Sequence, residues 1–167
     1  LLLLLEGLAY AHERGICHGD LKPTNILLQK NEQGKYHPKI GDFGVARKFT
    51  ASNSSDASLW GIPTGSWFCK PREQLINDGT ISPLSDVWRM GAILYQCLTG
   101  QLPRSNNAEL VSNKFSQQIP VLPIRELMPS IPATIESVVM TSLQTNPADR
   151  FQSSRAMYHA LKNAIIH

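Results

Sequence analysis

The residues that could carry chemistry are concentrated in one short stretch, 18–25, which reads His-Gly-Asp-Leu-Lys-Pro-Thr-Asn. Within it, Asp20 is followed by a lysine two positions on, Lys22, and by an asparagine five positions on, Asn25. A carboxylate can accept the proton of an attacking hydroxyl, and a lysine ammonium beside it can hold a phosphate oxygen. The amide oxygen of an asparagine suits a hard cation such as Mg²⁺. These residue types in one loop are therefore suited to chemistry at a phosphate group.

A second carboxylate follows seventeen residues after Asn25, at Asp42, in the tripeptide Asp-Phe-Gly. Two oxygen ligands that arrive from two separate loops are what a nucleotide-bound Mg²⁺ requires. The pattern thus indicates a divalent cation held between Asn25 and Asp42, close to the carboxylate of Asp20.

The surrounding sequence predicts elements that would hold these loops in place. Apolar residues recur at three- to four-residue spacing over 1–14, which predicts a helix that ends at Gly15. Residues 25–28 predict a short buried strand, 29–38 a polar hairpin turn, and 39–44 a second short strand and the chain's exit from it. The remaining predictions are helices over 86–99, 133–143 and 153–166, a loop over 50–66, and short helices and turns over the proline-rich 101–132. The expected fold class is mainly α with one small β-hairpin.

Taken together, these residues resemble the catalytic core of the serine/threonine protein kinases. The resemblance rests on the Asp-Leu-Lys-Pro-x-Asn motif that begins at Asp20 and on the Asp-Phe-Gly that begins at Asp42. It implies that Asp20 is the catalytic base and that Lys22 neutralises the phosphoryl group transferred from ATP. It also implies that Asn25 and Asp42 bind Mg²⁺ and that Leu27 packs under the adenine ring. A lysine two residues after the aspartate is typical of kinases that act on Ser or Thr of a protein substrate.

The same resemblance extends to residues that would support the site. His18 and Phe43 occupy positions where the family stacks an internal hydrophobic spine. Ser66, in Thr-Gly-Ser, resembles the substrate-docking end of the activation segment. Its hydroxyl is expected to bridge Asp20 and Lys22.

Three further positions carry implied structural roles. Glu73 stands in Pro-Arg-Glu where the family usually has Ala-Pro-Glu, and it is expected to pair in the interior with Arg150. Neither charge would be tolerated buried alone, so each assignment supports the other. Asp86 begins a segment that resembles the central buried helix, and its carboxylate is expected to accept backbone N–H bonds from the catalytic loop.

The sequence also departs from the family pattern at named positions. Gly19 replaces the arginine that commonly follows the histidine of the catalytic loop and that grips a phosphate on the activation segment in many kinases. We therefore hypothesise that activity here is not switched by phosphorylation of that segment. Trp67, Cys69 and Lys70 differ from the usual docking-loop residues, so the resemblance implies no preference around the target residue.

The largest departure is an absence from the sequence. No Gly-x-Gly-x-x-Gly loop precedes a strand, and no Val-Ala-x-Lys strand occurs in these 167 residues. We therefore expect residues 1–167 to be the C-terminal lobe of a kinase domain, without the N-terminal lobe that clamps ATP. Its expected parts are a catalytic loop over 18–25, an activation segment over 42–73 and a helical subdomain over 82–167. Two alternatives remain open, a catalytically inactive pseudokinase or interaction module and a decayed gene fragment.

Composition excludes several other classes of protein. Lys and Arg total 16 against 13 for Asp and Glu, and no basic block occurs, which disfavours a nucleic-acid surface. The longest apolar run, residues 1–5, is far shorter than the ~18 residues of a membrane helix. Three widely spaced cysteines fit neither a disulfide framework nor a zinc site and predict reduced thiols in a cytoplasmic protein. The chain begins with Leu inside an apolar run, so we expect it to be part of a longer protein.

A few expectations concern packing rather than chemistry. Cys17 is expected to be a small buried residue, Trp88 to lie in the core and His12 to lie at the surface. Without a second lobe, part of the apolar surface should be bare at the following residues: Leu2, Leu3, Ile26 and Leu27.

Overall fold

The computed structural model describes residues 1–44, 46–48, 69–76, 80–103 and 121–166 of the chain. The expected activation segment over 42–73 is therefore described only towards its two ends. The whole predicted loop over 50–66, Ser66 included, and residues 104–120 of the proline-rich stretch lie outside the described residues. The described elements, in chain order, are α1 (Leu2–Glu13), β1 (Ile16–Cys17), a 3-10 turn (Pro23–Asn25), β2 (Ile26–Lys30), β3 (Tyr36–Ile40), β4 (Arg47–Lys48), α2 (Arg72–Ile76), α3 (Pro83–Thr99), α4 (Ile124–Leu127), α5 (Ala133–Ser142), a second 3-10 turn (Pro147–Asp149) and α6 (Ser154–Ile166).

Helix α3 is the centre of the fold. Ser82 caps its N-terminus by accepting a hydrogen bond from the backbone N–H of Ser85 at 3.1 Å, and Pro83 occupies the first turn. Gly100 ends the helix in the left-handed conformation at φ 72°, as its position in the sequence predicts. Every residue over 85–95 is buried, because the helix is covered by α5, α6 and the catalytic loop on different sides. The helix begins three residues before the predicted start, at the Ser-Pro cap.

The other predicted helices are confirmed within one residue at each end. Helix α1 buries an apolar stripe against α6 and the β3 strand, and Gly15 follows it at φ 71°. Trp88 is fully buried and donates from its indole nitrogen to the carbonyl of Leu143 at 3.1 Å, so its predicted core position is confirmed. The prediction for His12 was wrong, because the imidazole lies on the buried face of α1, where it meets α3 and α6.

The hairpin is present but its strands differ from the predicted ranges. β2 and β3 pair antiparallel in a register that runs from Ile26 opposite Ile40 to Lys30 opposite Tyr36. The turn is thus confined to 31–35, and the second strand ends before the Asp-Phe-Gly tripeptide. The first strand is also not buried, since Leu27 is 59% exposed.

A second, two-residue pairing was not predicted from the sequence. β1 and β4 run antiparallel, with Ile16 opposite Lys48 and Cys17 opposite Arg47. Strands of two residues are too short to leave a periodic pattern in the sequence. This pairing joins the residues just before the catalytic loop to the segment that follows Asp42. The catalytic loop and the Asp42 segment are therefore held next to each other.

An apolar surface is exposed beside the hairpin, as expected. Leu3 is 48% exposed and Leu27 59%, whereas Leu2 and Ile26 are partly buried. Within the described ranges, none of the helices combines the length and apolar character that crossing a membrane would require.

Candidate active site

The catalytic loop over 18–25 is anchored by one buried carboxylate of helix α3. Asp86 accepts the backbone N–H of His18 at 2.7 Å and that of Gly19 at 2.9 Å, one on each carboxylate oxygen. Asp86 is fully buried, and charge-assisted bonds from backbone N–H groups are what make a buried carboxylate tolerable. The loop therefore leaves β1 in a fixed direction before it reaches Asp20.

A hydrogen-bonded chain extends this anchor to the first and last helices. The Nε2 atom of His12 lies 3.0 Å from Asp86 Oδ2, and its Nδ1 atom lies 2.8 Å from the hydroxyl of Ser154. The imidazole thus connects α1, α3 and α6 beneath the loop. Sequence reasoning missed this role, because the partners of His12 lie 74 and 142 residues away along the chain.

The loop places its three chemically distinctive side chains together. The ammonium of Lys22 lies 2.6 Å from Oδ2 of Asp20, and both side chains are about a quarter exposed. The amide nitrogen of Asn25 donates to the backbone carbonyl of Asp20 at 2.9 Å. This bond occupies the nitrogen of the Asn25 amide and leaves its oxygen as the remaining acceptor.

The hairpin brings Asp42 to the same loop. The backbone N–H of Gly41 donates to the carbonyl of Asn25 at 2.8 Å, which continues the β2–β3 pairing by one step. Asp42 follows directly, in the left-handed region at φ 57°, which is uncommon outside glycine but most accessible to Asp and Asn. Its side chain is exposed. An amide oxygen and a carboxylate fixed in this way by one hairpin fit the oxygen donor set that Mg²⁺ takes.

The ring of His18 contacts the residues on both sides of Asp42. Its Nε2 atom lies 2.9 Å from the carbonyl of Gly41, and its ring centroid lies 4.7 Å from that of Phe43, with the planes tilted by 47°. The rings of His18 and Phe43 are thus in contact, although Phe43 is 41% exposed and not internal in the described residues.

Arg89 reaches the catalytic loop from helix α3, and sequence reasoning did not single it out. Its side chain is 1% exposed, and its Nη1 atom lies 3.5 Å from Oδ1 of Asp20 and 3.3 Å from the carbonyl of Leu21. Its Nε atom donates to the Gln74 side-chain oxygen at 3.0 Å. The signal that could have found it was a second charged residue, three positions after Asp86, in a largely apolar helix.

The two buried thiols lie next to these charged groups. Burial raises the pKa of Cys17, and the negative charge of Asp86 raises it further. Burial likewise raises the pKa of Cys69, against the opposing positive charge of Arg89. Both side chains are therefore protonated thiols at neutral pH, and the prediction that Cys17 is a small buried residue is confirmed.

Glu73 and Arg150 form a two-point ion pair behind the site. Nη1 and Nη2 of Arg150 donate to the two carboxylate oxygens of Glu73 at 2.7 and 2.9 Å. The arginine side chain is fully buried and that of Glu73 is 19% exposed. Burial by itself would raise the pKa of Glu73, but hydrogen bonds and charge from Arg150 outweigh it, so the pKa lies below its usual value. The pair fastens helix α2, at the end of the activation segment, to the C-terminal helical part.

Comparison with known proteins agrees with this geometry. The family model described as the protein kinase domain matches residues 1–161. The chain is 34% identical over 161 residues to the serine/threonine-protein kinase Pkn1 of Myxococcus xanthus, covering 96% of this chain and 23% of that protein. It is 31% identical over 154 residues to PknL of Mycobacterium tuberculosis, with 92% and 37% covered.

A plant protein gives a similar match. The serine/threonine-protein kinase RUNKEL of Arabidopsis thaliana is 33% identical over 169 residues, which cover 98% of this chain and 11% of that protein. The chain therefore spans well under half the length of each of these relatives. A family match over nearly all of its length, together with relatives that are serine/threonine kinases, shows that the chain belongs to the protein kinase domain family.

Proposed function

We propose that this protein is a serine/threonine protein kinase that transfers the γ-phosphoryl group of Mg-ATP to a Ser or Thr hydroxyl of a protein substrate. The observation that carries the proposal is the loop geometry around Asp20. Its carboxylate lies next to the ammonium of Lys22, and its backbone carbonyl accepts a hydrogen bond from Asn25. The β2–β3 hairpin brings the Asp42 segment to Asn25. The candidate base, the candidate phosphate-binding cation and the candidate metal ligands thus come from two loops that are hydrogen-bonded to each other.

In the proposed reaction Asp20 orients the substrate hydroxyl. The hydroxyl oxygen forms a bond to the γ-phosphorus, the bond from that phosphorus to the β–γ bridging oxygen breaks, and ADP leaves. The hydroxyl proton passes to the Asp20 carboxylate. Lys22, now paired with Oδ2 of Asp20 at 2.6 Å, is close enough to shift its ammonium to the transferred phosphoryl oxygens.

Asn25 and Asp42 are proposed to hold the metal ion. Mg²⁺, when bound by the Asn25 amide oxygen and the Asp42 carboxylate, supplies positive charge that neutralises the phosphates. The bond from the Asn25 amide nitrogen to the Asp20 carbonyl fixes which end of that amide faces the cation. The packing of Phe43 on His18 helps to fix the backbone next to Asp42.

We propose that ATP and the protein substrate also contact residues other than Asp20, Lys22, Asn25 and Asp42. We propose that the Ser66 hydroxyl bridges Asp20 and Lys22 when a peptide is bound, although Ser66 lies outside the described residues. Leu27, 59% exposed beside the loop, is proposed to contact the adenine ring. A protein substrate and ATP are the proposed partners, with no role for nucleic acid.

Residues 1–167 are proposed to act as the C-terminal lobe of the kinase domain. They carry the base, the metal-ligand candidates and the peptide platform, but no glycine-rich phosphate loop. We propose that a second lobe covers the phosphates and packs on the exposed apolar surface at Leu3 and Leu27. We propose a cytoplasmic location, which the free thiols of Cys17, Cys69 and Cys97 support.

The proposal is tested with the protein expressed from its whole gene. We expect Mg²⁺-dependent transfer of labelled γ-phosphate to Ser or Thr of a generic protein substrate, and a loss of at least about 100-fold in Asp20→Asn and Asp42→Asn. Glu13→Gln, which removes an exposed carboxylate from α1, is the matched control and should retain full activity.

Binding of the nucleotide separates the two roles. Asp42→Asn should lose the Mg²⁺ dependence of ATP binding, whereas Asp20→Asn should keep it. Transfer that persists within tenfold in both variants would overturn the proposal. ATP binding without any transfer by the natural protein would favour the pseudokinase or interaction module instead.

A further inference from the structure

A buried guanidinium lies directly beneath the loop that carries Asp20. Arg89 belongs to the central helix α3 and is 1% exposed. Its recorded acceptors come from two different segments, the side chain of Gln74 in α2 and the catalytic loop at Asp20 and Leu21. The planar, rigid fork of an arginine can hold several acceptors in a fixed geometry, which a lysine cannot do.

The two oxygens of the Asp20 carboxylate each face a different cation. Lys22 lies 2.6 Å from Oδ2, and its side chain is 27% exposed, so it can move when a phosphate arrives. Arg89 lies 3.5 Å from Oδ1, longer than a well-formed hydrogen bond, so its effect on Asp20 is mainly through its charge. A buried charge is screened little by solvent, so this interaction persists when Lys22 moves away.

A side chain at position 19 would be strained in this structure. Gly19 has φ 80°, and a Cβ atom built there would lie 2.9 Å from Cδ1 of Ile81. Any side chain at this position would therefore be strained by the positive φ and would require Ile81 to shift. Arg89 contacts the same loop from helix α3.

We propose that Arg89 is a positioning residue for the catalytic base, holding Asp20 and Leu21 in register with α2 at the end of the activation segment. Its recorded acceptors are a carboxylate, a backbone carbonyl and a side-chain amide, so these contacts form without a phosphate group. This support of the catalytic loop thus requires no phosphorylated residue. This inference rests on the proposed kinase function only where it concerns the rate of transfer.

The kinetic test compares three variants of the protein expressed from its whole gene. Arg89→Met keeps the volume but removes the charge and the donors, and kcat should fall about 10- to 100-fold with KM for ATP changed less than threefold. Arg89→Lys restores the charge without the fork, and its kcat should lie between those of Arg89→Met and the natural protein. Tyr95→Phe, which removes a partly buried hydrogen bond from the same helix to the carbonyl of Leu122, should keep kcat unchanged.

A measurement that needs no activity decides the structural half of the inference. Amide hydrogen exchange of the 18–25 and 72–76 segments should be at least about fivefold faster in Arg89→Met than in the natural protein. In Tyr95→Phe, exchange of these two segments should be unchanged. If Arg89→Met does not fold, Gln74→Leu removes one anchor of the guanidinium and should loosen the 18–25 segment in the same way.

The outcomes separate this inference from the proposed function. A kcat of Arg89→Met within threefold of the natural value, or unchanged exchange of 18–25, would overturn the positioning role. An equal loss of kcat in Tyr95→Phe would show a general effect of destabilisation and would also overturn it. If the natural protein transfers no phosphate while exchange of 18–25 responds as expected, the kinase proposal fails and the positioning role stands.

Discussion

The replacement of Glu73 by glutamine tests how the fold holds the activation segment. The change keeps the shape of the side chain but removes the charge that faces the fully buried guanidinium of Arg150. It also places an amide NH₂ group opposite one of the two guanidinium nitrogens, so one of the bonds at 2.7 and 2.9 Å becomes a contact between two donors.

The expected magnitude follows from the remaining partners of Arg150. Removing one partner of a buried ion pair costs about 3–5 kcal/mol when the other charge is left uncompensated. Arg150 keeps bonds to the carbonyls of Leu84, Gln144 and Thr145 at 3.0, 2.7 and 3.0 Å, which lessen this loss. We therefore expect a loss near the lower end, about 3 kcal/mol, or about 6–12 °C in melting temperature.

The chain offers a matched control for burial. Glu13 and Arg155 form an arginine–glutamate pair with a similar separation, 2.8 Å, but their side chains are 50% and 37% exposed. Glu13→Gln should cost no more than about 0.5 kcal/mol, because solvent screens the pair and competes for both groups. Both variants would be measured by urea unfolding under the same conditions, with the natural protein alongside.

The pH dependence of the stability difference between the natural protein and Glu73→Gln gives an independent check. The folded pKa of Glu73 lies below its ordinary value of 4.5, so the carboxylate contributes its full stability above that value. The contribution is lost as the pH falls through the lower folded pKa, so the gap between the natural protein and Glu73→Gln should close in acid. Equal costs for Glu73→Gln and Glu13→Gln at neutral pH, or a gap that widens in acid, would refute the reasoning.

Three further predictions follow from close packing, burial and the glycine in the catalytic loop. Gly91→Ala should destabilise the chain by about 1–3 kcal/mol, since its Cβ would collide with the Ser142 hydroxyl, whereas Gly7→Ala should stabilise it by about 0.5–1 kcal/mol; equal effects in thermal melts would contradict this. Mass spectrometry after thiol labelling of the native protein should find Cys97 modified well before Cys17, because burial raises the pKa of Cys17 and blocks access; labelling at one rate would count against it. Single phosphomimetic replacements should change kcat less than about twofold, and a large change would defeat the hypothesis drawn from the missing arginine; the positions are Ser54, Ser55, Ser58 and Thr64.

The sequence by itself was sufficient for the family, and it also predicted which residues share the loop over 18–25. The spacing of Asp20, Lys22 and Asn25 is local, and a loop of eight residues keeps such neighbours together whatever surrounds it. Helix limits were likewise readable, since caps such as Gly15 and Gly100 act through the backbone of adjacent residues. The strand limits were less readable, because β2 is exposed beyond Ile26 and so has no buried face that would impose an alternating pattern.

Only the tertiary structure decided what lies beneath the loop. His12 was expected at the surface, and Arg89 was not singled out. His12 contacts Asp86 and Arg89 contacts Asp20, and in both pairs the two residues are more than sixty positions apart in the sequence. A sequence pattern reports which face of a helix is apolar, but not which polar group another element will bring to that face. Packing around helix α3 makes that choice, since a charge can be buried there only where another segment supplies its counter-charge and hydrogen bonds.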